Sequence, residues 1–175
     1  MTTEMSIQIP ITLDFQQDHL FDAQVSDDQT TAALTKMFQR AWQEGTRSAE
    51  FIDKPKALSC CIRFVDRAEG QSLNEQFRGR DGPTNVLSFE TAFVDEAECQ
   101  HVGDLVLCVP VLEVEAEQQE KPLKAHYVHL VLHGILHLIG YDHQTASSRR
   151  VMEALEIKLL NEVGIANPYE VTGNE

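Results

Sequence analysis

The sequence predicts an α+β fold in a single domain, built from a mixed four-stranded sheet and about five helices. Its 175 residues suffice for one domain with a substantial core, and no repeat or linker divides them. Four short segments have strand patterns, and the longer segments between and after them show the apolar period of helices. This combination of strands with intervening helices is the basis of the predicted fold class.

Two strands and one helix are predicted in the first part of the chain. Residues 6–15, SIQIPITLDF, form a short strand with Pro10 at an edge or end, because proline cannot donate a ladder hydrogen bond. An amphipathic helix follows over about 31–43, where apolar residues recur at helical spacing, and Gly45 ends it. The second strand is LSCCIRFVD, residues 58–66.

The middle of the chain is predicted to hold a short helix and two further strands. Ser72 and Glu75 form a capping box that predicts a helix start at residue 72, and Gly79 supplies the C-terminal stop. The turn DGPT leads into a strand at 84–93, TNVLSFETAF. An acidic loop, VDEAECQH, then connects this strand to the last one, GDLVLCV at 103–109.

The last part of the chain is predicted to be helical. Pro110 opens a helix over VLEVEAEQQEK, which a Lys-Pro pair interrupts. A long apolar helix runs from about 123 to 139, and an amphipathic helix covers 146–163 before Gly164. The tail from residue 167 onward, NPYEVTGNE, is expected to be loose.

Charge is distributed unevenly along the chain. The formal net charge of −14 argues against a protein that coats nucleic acid by bulk attraction. Residues 54–80 contain six basic residues against three acidic ones, whereas residues 81–120 contain no lysine or arginine. One local positive groove is compatible with this pattern, and so is a basic face that is simply solvated.

Cysteine usage and hydropathy bear on the compartment. Four cysteines, at positions 60, 61, 99 and 108, occur without a C-x-x-C spacing, which suits neither a disulfide framework nor a cysteine zinc site. We therefore expect reduced thiols in a cytoplasmic protein. The first ten residues do not form a secretory signal, and no apolar run approaches the roughly 18 residues of a membrane span. No membrane association is expected.

Three histidines in HGILHLIGYDH, residues 133–143, form the strongest chemical signal in the sequence. His133 and His137 lie one turn apart on the same helix face, so both imidazoles can reach a single ion at about 2.0–2.1 Å. Gly140 lets the backbone leave the helix in a left-handed conformation, and the turn can bring His143 back as the third ligand. Three protein ligands without an evident fourth are typical of a catalytic zinc with an open coordination position.

Other polar residues near this motif are interpreted as supporting residues. His129 lies eight residues before His137, about 12 Å along a helix axis, which is too far for both to share an ion easily. We interpret it as a packing residue or a partner of a ligand, and His126 as exposed or packing. Asp142 could orient an imidazole or accept a proton; the alternative is a turn residue that caps the next helix.

The histidine spacing also matches a protease motif. H-x-x-x-H-x-x-G-x-x-H is the ligand spacing of the metzincin proteases, which place a glutamate base beside the first histidine. Here that position is Gly134, which has no side chain. Phosphodiester cleavage is the natural alternative, because a metal can polarise a phosphate oxygen while a cation neutralises charge in the transition state. A metallopeptidase stays open as the second enzyme hypothesis.

Three segments together resemble one known family. HGILHLIGYDH resembles the hallmark motif of the YbeY family of bacterial endoribonucleases, the rRNA maturation factors. NEQFRGRDGPTNVLSF at 74–89 is similar to the family's second block, and GDLVLC at 103–108 to its G-D-I-x-I-S strand. The resemblance covers most of residues 70–143. Asn85, where the family usually has aspartate, and Glu90, where proline is common, depart from the pattern without touching the histidine motif.

The resemblance implies a zinc-dependent, single-strand-specific endoribonuclease of one domain, spanning residues 1–175. Such an enzyme would act in 3′-end maturation of the small-subunit ribosomal RNA and in ribosome quality control. Carried over by position, His133, His137 and His143 are the ligands of one Zn²⁺ ion, and Arg78 is the functional arginine. The implied partners are single-stranded RNA and the small ribosomal subunit, with the ribosome-associated GTPase Era as a further candidate.

Arg78 has two interpretations. In the last turn of a short helix any cation is favoured by the helix dipole, by about 0.3–1 kcal/mol. The resemblance favours a phosphate-binding role instead, for which the planar guanidinium is suited. The strand 58–66 could place Arg63 on the same exposed side, and Ser88 and Phe89 could border the groove, although a strand interior is more typical of Phe89. A non-catalytic ribosome-assembly module with structural zinc is the binding-class alternative.

Overall fold

The computed structural model describes residues 8–170 and has the predicted α+β architecture. Its strands are β1 (Ile11–Gln16), β2 (Ala57–Val65), β3 (Val86–Val94) and β4 (Cys99–Cys108). The helices found in this range are α1 (Asp28–Glu44), α2 (Arg67–Arg78), α3 (Val109–Gln118), α4 (Leu123–Leu138) and α5 (Ala146–Glu162), with a 3₁₀ turn at Asp18–Leu20.

The four strands form one mixed sheet in the order β1-β2-β4-β3. β1 pairs with β2 and β2 with β4 in parallel, whereas β3 pairs with β4 antiparallel. The antiparallel pair is a hairpin, and the parallel pairs are connected through helices, as parallel pairing requires. β3 therefore lies at one edge of the described sheet.

The sheet separates two apolar clusters. On one face, side chains such as Ile62 and Leu105 pack with α1, α4 and α5. On the other face, Val106 packs with residues of α2 and α3. The alternation follows from the two-residue period of a strand, and it buries Cys60 while leaving Cys61 half-buried. All four cysteines are free thiols.

Helix α4 is the central helix of the domain. It contacts α1, α3 and α5 as well as β3 and β4, which explains why its sequence is apolar almost all round. Packing on so many sides makes α4 a firm support for the side chains that it presents. Neither α4 nor any other helix within residues 8–170 has the length and hydropathy to cross a membrane.

Helix α2 begins five residues before the predicted start at Ser72. The carboxylate of Asp66 caps it by accepting a hydrogen bond from the backbone N–H of Glu69 at 2.9 Å. Gly70 lies within the helix although glycine weakens a helical pattern. A larger residue would not fit there, because a Cβ would approach the Cys108 Sγ to 2.9 Å. The predicted capping box at Ser72 was therefore wrong.

The connection between β3 and β4 is shorter than predicted. β4 begins at Cys99 rather than at residue 103, so the end of the predicted acidic loop belongs to the sheet. The Asp95 carboxylate accepts hydrogen bonds from the backbone N–H groups of Ala97 and Cys99, both at 2.9 Å, and Glu98 has a positive φ of 59°. These local bonds close a tight turn.

The predictions for the two ends of the chain extend in part beyond the described residues. Residues 6 and 7 of the first predicted strand and residues 171–175 of the predicted loose tail lie outside them. For the described part of the tail the prediction was wrong. The Lys121 ammonium donates to the backbone carbonyl of Pro168 at 2.8 Å, and the Tyr169 ring packs edge-on against His129 with centroids 5.6 Å apart.

Candidate metal centre

The first two histidines of the motif meet on one face of α4. The ring centroids of His133 and His137 are 4.6 Å apart, and their Nε2 atoms are 3.0 Å apart. Between them, Gly134 faces the sheet, where a Cβ would approach Leu105 Cδ2 to 2.6 Å. The glycine lets α4 lie close to β4, so the helix turns its apolar side to the sheet and its histidines to solvent.

A sharp turn after α4 returns the third histidine to the first two. Gly140 has φ of +100°, and a Cβ there would lie 2.6 Å from the backbone nitrogen of Ser48. The buried Tyr141 anchors the turn, since its hydroxyl donates to the carbonyl of Gly45 at 3.0 Å. The His143 ring is 4.9 Å from that of His137 and 5.6 Å from that of His133.

The three imidazoles suit one metal ion. One ligand nitrogen from each of His133, His137 and His143 lies within 4.8 Å of the others. Two nitrogens bound tetrahedrally to one zinc are about 3.3 Å apart, close to the observed His133–His137 separation. Burial first, and then the neighbouring His133 and His143, lower the pKa of His137 to about 4. His137 is therefore neutral near pH 7, which is the form that binds a metal.

A cleft of about 290 Å³ opens in front of these histidines. Arg78, at the exposed end of α2, lines it together with the three motif histidines, His129 and Ser88. Within residues 8–170, no carboxylate forms an ion pair with Arg78, so its guanidinium is available to a ligand. The structure thus brings the arginine and the histidines, which are distant in sequence, to one surface.

Arg63 and Phe89 lie outside the cleft, and for Phe89 this agrees with the strand interior that was the favoured expectation. Arg63 is bound to the carboxylate of Glu69 and is not among the residues that line the cleft, so the prediction that it shares this side was wrong. Phe89 belongs to the opposite side of β3, where its ring packs edge-on against Phe77 with centroids 5.0 Å apart. The strand's alternation explains this, because Ser88 faces the cleft and its neighbour must face away.

Asp142 and His126 have structural contacts. The Asp142 carboxylate accepts from the backbone N–H of Gln144 at 3.0 Å, which favours the turn interpretation. His126 is buried, and its Nε2 lies 2.8 Å from a carboxylate oxygen of Glu115. Burial alone would raise the pKa of Glu115, but hydrogen bonds from His126 and Asn85 outweigh it and lower that pKa.

The amide at Asn85 has a direct role at the start of β3. Its Nδ2 donates to both oxygens of Glu115, at 3.1 and 3.3 Å. An aspartate at this position would place a second carboxylate against Glu115, which like-charge repulsion disfavours. Glu115 therefore explains why asparagine, rather than the aspartate common in the family, suits position 85 in this chain.

Glu156 of α5 is the polar site residue that the sequence reasoning missed. Its side chain is fully buried, and its Oε1 lies 2.5 Å from His133 Nδ1. Its other oxygen accepts a hydrogen bond from the Tyr169 hydroxyl and lies 3.8 Å from His129 Nε2. Burial would raise the pKa of Glu156, yet the nearby His129 imidazole and the hydrogen bonds from His133 and Tyr169 lower it to about 2.

A signal for Glu156 exists in the sequence. The buried face of α5 consists of Met152, Leu155, Leu159 and Leu160, at helical spacing, and Glu156 occupies the same face. A carboxylate on an apolar helix face must find donors inside the protein. That partner was not identifiable locally, because His133 lies 23 residues away in the sequence.

Comparison with known proteins places the chain among the enzymes that it resembles. The family model "Endoribonuclease YbeY" matches residues 21–164. The chain is 47% identical to Endoribonuclease YbeY of Alkalilimnicola ehrlichii over 134 residues, which are 75% of this chain and 80% of that protein. It is 41% identical to the Colwellia psychrerythraea enzyme over 152 residues, 86% of this chain and 97% of that protein.

A solution structure of a Thermotoga maritima protein has the same fold. It matches with a TM-score of 0.51 at 21% identity, covering 95% of this chain and 99% of that one. The family match over most of the chain, together with relatives above 40% identity, establishes the relationship. The chain belongs to the YbeY endoribonuclease family and is an enzyme of the hydrolase class.

Proposed function

We propose that this protein is a zinc-dependent, single-strand-specific endoribonuclease. It acts in the cytoplasm, in 3′-end maturation of the small-subunit ribosomal RNA and in ribosome quality control. The observation that supports the proposal best is the position of Arg78, which lines one cleft with the three motif histidines. A cationic fork and a cluster of imidazoles on one surface suit a phosphodiester substrate.

The residues that line the cleft have different proposed roles. His133, His137 and His143 hold the ion, and neutral imidazole is a ligand that Zn²⁺ accepts. When bound, zinc supplies Lewis acidity towards a phosphate oxygen. Arg78 binds the phosphate through two parallel N–H donors and neutralises the negative charge that develops there. Ser88, on the β3 wall of the cleft, is placed to contact the sugar-phosphate backbone of the same RNA.

The acidic character of the protein limits where RNA can bind. With a net charge of −14, attraction to RNA has to come from the local cleft rather than from the whole surface. Affinity should therefore fall steeply with salt. The small ribosomal subunit and the GTPase Era are the proposed partners that deliver the RNA end to this cleft.

Cleavage of a labelled single-stranded RNA and of the same strand in a duplex tests the activity. The single strand should be cut and the duplex spared. Arg78→Ala should lower the rate by roughly 100-fold, the effect of losing one charged donor to the transition state. Arg80→Ala is the matched control, because Arg80 is an exposed neighbour outside the cleft lining, and its rate should change less than about twofold. Equal rates for all three proteins would refute the role of Arg78.

Elemental analysis tests the ligand set. His137→Ala should lose the bound zinc, whereas His19→Ala should keep it, because His19 lies exposed in the 3₁₀ turn. Undiminished zinc in His137→Ala would contradict the assignment. In cells depleted of the natural enzyme, cells that express Arg78→Ala should accumulate unprocessed 3′ ends of the small-subunit RNA. Expression of the wild-type chain should restore normal processing.

Two alternatives have separate outcomes. A metallopeptidase would need a base beside His133, yet the Cβ of any residue at Gly134 would collide with Leu105, so digestion of an unstructured peptide is not expected. A non-catalytic module with structural zinc should unfold on chelation. We expect a chelator to abolish RNA cleavage while the circular dichroism spectrum persists, because α4 is held by the apolar core.

A further inference from the structure

We propose that Glu156, held by Tyr169, is a positioning residue that fixes His133 in the tautomer protonated on Nδ1 and so directs its Nε2 lone pair into the histidine cluster. The consequence for metal binding rests on the proposed function, whereas the tautomer is a property of the metal-free chain. Neither residue belongs to the histidine motif, and both come from the last part of the chain.

The hydrogen-bond geometry at His133 determines its tautomer. An ionised carboxylate can only accept, so the 2.5 Å contact between Glu156 Oε1 and His133 Nδ1 requires a proton on Nδ1. Nε2 of the neutral ring then has a free lone pair. That atom faces His137 Nε2 at 3.0 Å, which can donate to it in the absence of an ion. The contacts on both sides of the ring agree with a single tautomer.

The burial of Glu156 indicates that this contact has a function. The side chain is fully buried on a helix face otherwise made of Met152, Leu155 and Leu159. A buried charge is unfavourable unless it is paired and hydrogen-bonded, and an apolar residue of similar size would serve packing better. The carboxylate instead points at the one nitrogen of His133 that faces away from the cluster.

Tyr169 holds the second carboxylate oxygen. Its hydroxyl donates to Glu156, and its ring packs edge-on against His129. The backbone beside it is fastened to the helix α3–α4 connection, where the Lys121 ammonium donates to the carbonyl of Pro168 at 2.8 Å. The segment after α5 therefore fixes the orientation of the carboxylate that orients the histidine. Partners of this kind raise the basicity of a ligating imidazole and restrict its rotation.

Nitrogen NMR of the metal-free protein tests the tautomer directly. At a pH above the range in which imidazoles ordinarily titrate, long-range proton–nitrogen spectra should show His133 protonated on Nδ1 in the wild-type chain. In Glu156→Gln the amide can present either its oxygen or its NH₂ group, so both tautomers should become populated. Glu162→Gln is the matched control, an exposed carboxylate on the same helix that pairs with Arg40 at 3.3 Å, and His133 should remain unchanged in it.

Zinc affinity, measured by competition with a chromophoric chelator, tests the consequence. Glu156→Gln should bind zinc about 10- to 100-fold more weakly, the usual effect of removing such a partner. Tyr169→Phe, which removes only a hydroxyl, should weaken binding by roughly three- to tenfold, the worth of one hydrogen bond. If Glu156→Gln does not fold, Tyr169→Phe decides the question, because its hydroxyl lies at the cleft and its ring is retained.

The outcomes separate this inference from the proposed function. A single Nδ1-protonated His133 in Glu156→Gln, or zinc affinities of both variants within twofold of wild type, would overturn the positioning role. Failure of the wild-type chain to bind zinc, with the tautomer shifting as expected in Glu156→Gln, would refute the proposed metal site and leave the orientation of His133 by Glu156 supported.

Discussion

Replacing Gly134 by alanine tests whether α4 packs directly against Leu105 of the sheet, as the missing side chain allows. The added Cβ would lie 2.6 Å from Leu105 Cδ2 and 2.9 Å from Cδ1, distances well inside van der Waals contact. Leu105 is fully buried in β4, so its side chain has little free space to move into. At an exposed helix position, the same substitution would stabilise the protein by about 1 kcal/mol.

Two opposing contributions determine how much Gly134→Ala changes the free energy of unfolding. Overpacking of a filled core costs about 1–3 kcal/mol, and the helix propensity of alanine offsets about 1 kcal/mol of it. We expect Gly134→Ala to lower the free energy of unfolding by about 0–2 kcal/mol, measured by urea denaturation of the metal-free protein. Leu105→Val removes both clashing Cδ atoms and by itself should cost about 0.5–1.5 kcal/mol for the lost methylene.

The double variant Gly134→Ala/Leu105→Val gives the decisive comparison. If the clash is real, its destabilisation should be smaller than the sum of the single variants by about 1 kcal/mol or more. The reasoning would be refuted if Gly134→Ala were stabilising by about 1 kcal/mol, as on an open helix surface. Additivity of the two substitutions within about 0.5 kcal/mol would refute it equally.

Three further substitutions have defined expected outcomes. Gly140→Ala should be strongly destabilising and should impair zinc binding, because φ is +100° and the new Cβ would meet backbone atoms rather than a movable side chain; thermal unfolding and chelator competition measure both effects. Tyr141→Phe should cost about 1 kcal/mol in urea denaturation, since the Gly45 carbonyl loses its donor, and no loss would show that water replaces it. For Glu115, hydrogen-bonded to His126 and Asn85, the folded-state pKa lies below the ordinary value of 4.5, so the unfolded chain binds the proton first. Its stabilising contribution should be complete above that value and disappear as the pH falls below it, and Glu115→Gln should flatten this acid limb of the stability curve.

The parts that could be predicted from the sequence are those with local causes. His133, His137 and His143 fall within eleven residues, so helical spacing and one glycine turn are sufficient to bring them together. The strand and helix patterns likewise depend on periodicity over short windows. The mixed sheet followed from the order of these elements, and the structure confirms it.

The parts that could not be predicted depend on packing between distant segments. Gly70 weakens the helical signal of α2, and its reason, the close packing of α2 against Cys108 at the end of β4, is visible only in three dimensions. Glu156 reaches His133 from another helix, and Tyr169 holds Glu156 from the segment after that helix. The turn at Asp95 is different, because its two side-chain bonds are local and the aspartate was a usable signal.

The histidine cluster separates two environments of different charge, which gives phosphate a preferred direction of approach. Among residues 8–170, those that line the cleft on the Arg78 side include no carboxylate. A second cavity, on the other side of His137 and His143, is bordered by Glu50, Glu90 and Asp142 as well as by one arginine. We expect a polyanion to be repelled there and attracted at Arg78. Glu90, where the family commonly has proline, strengthens this asymmetry, so a chain of net charge −14 can still guide RNA to one face of the cluster.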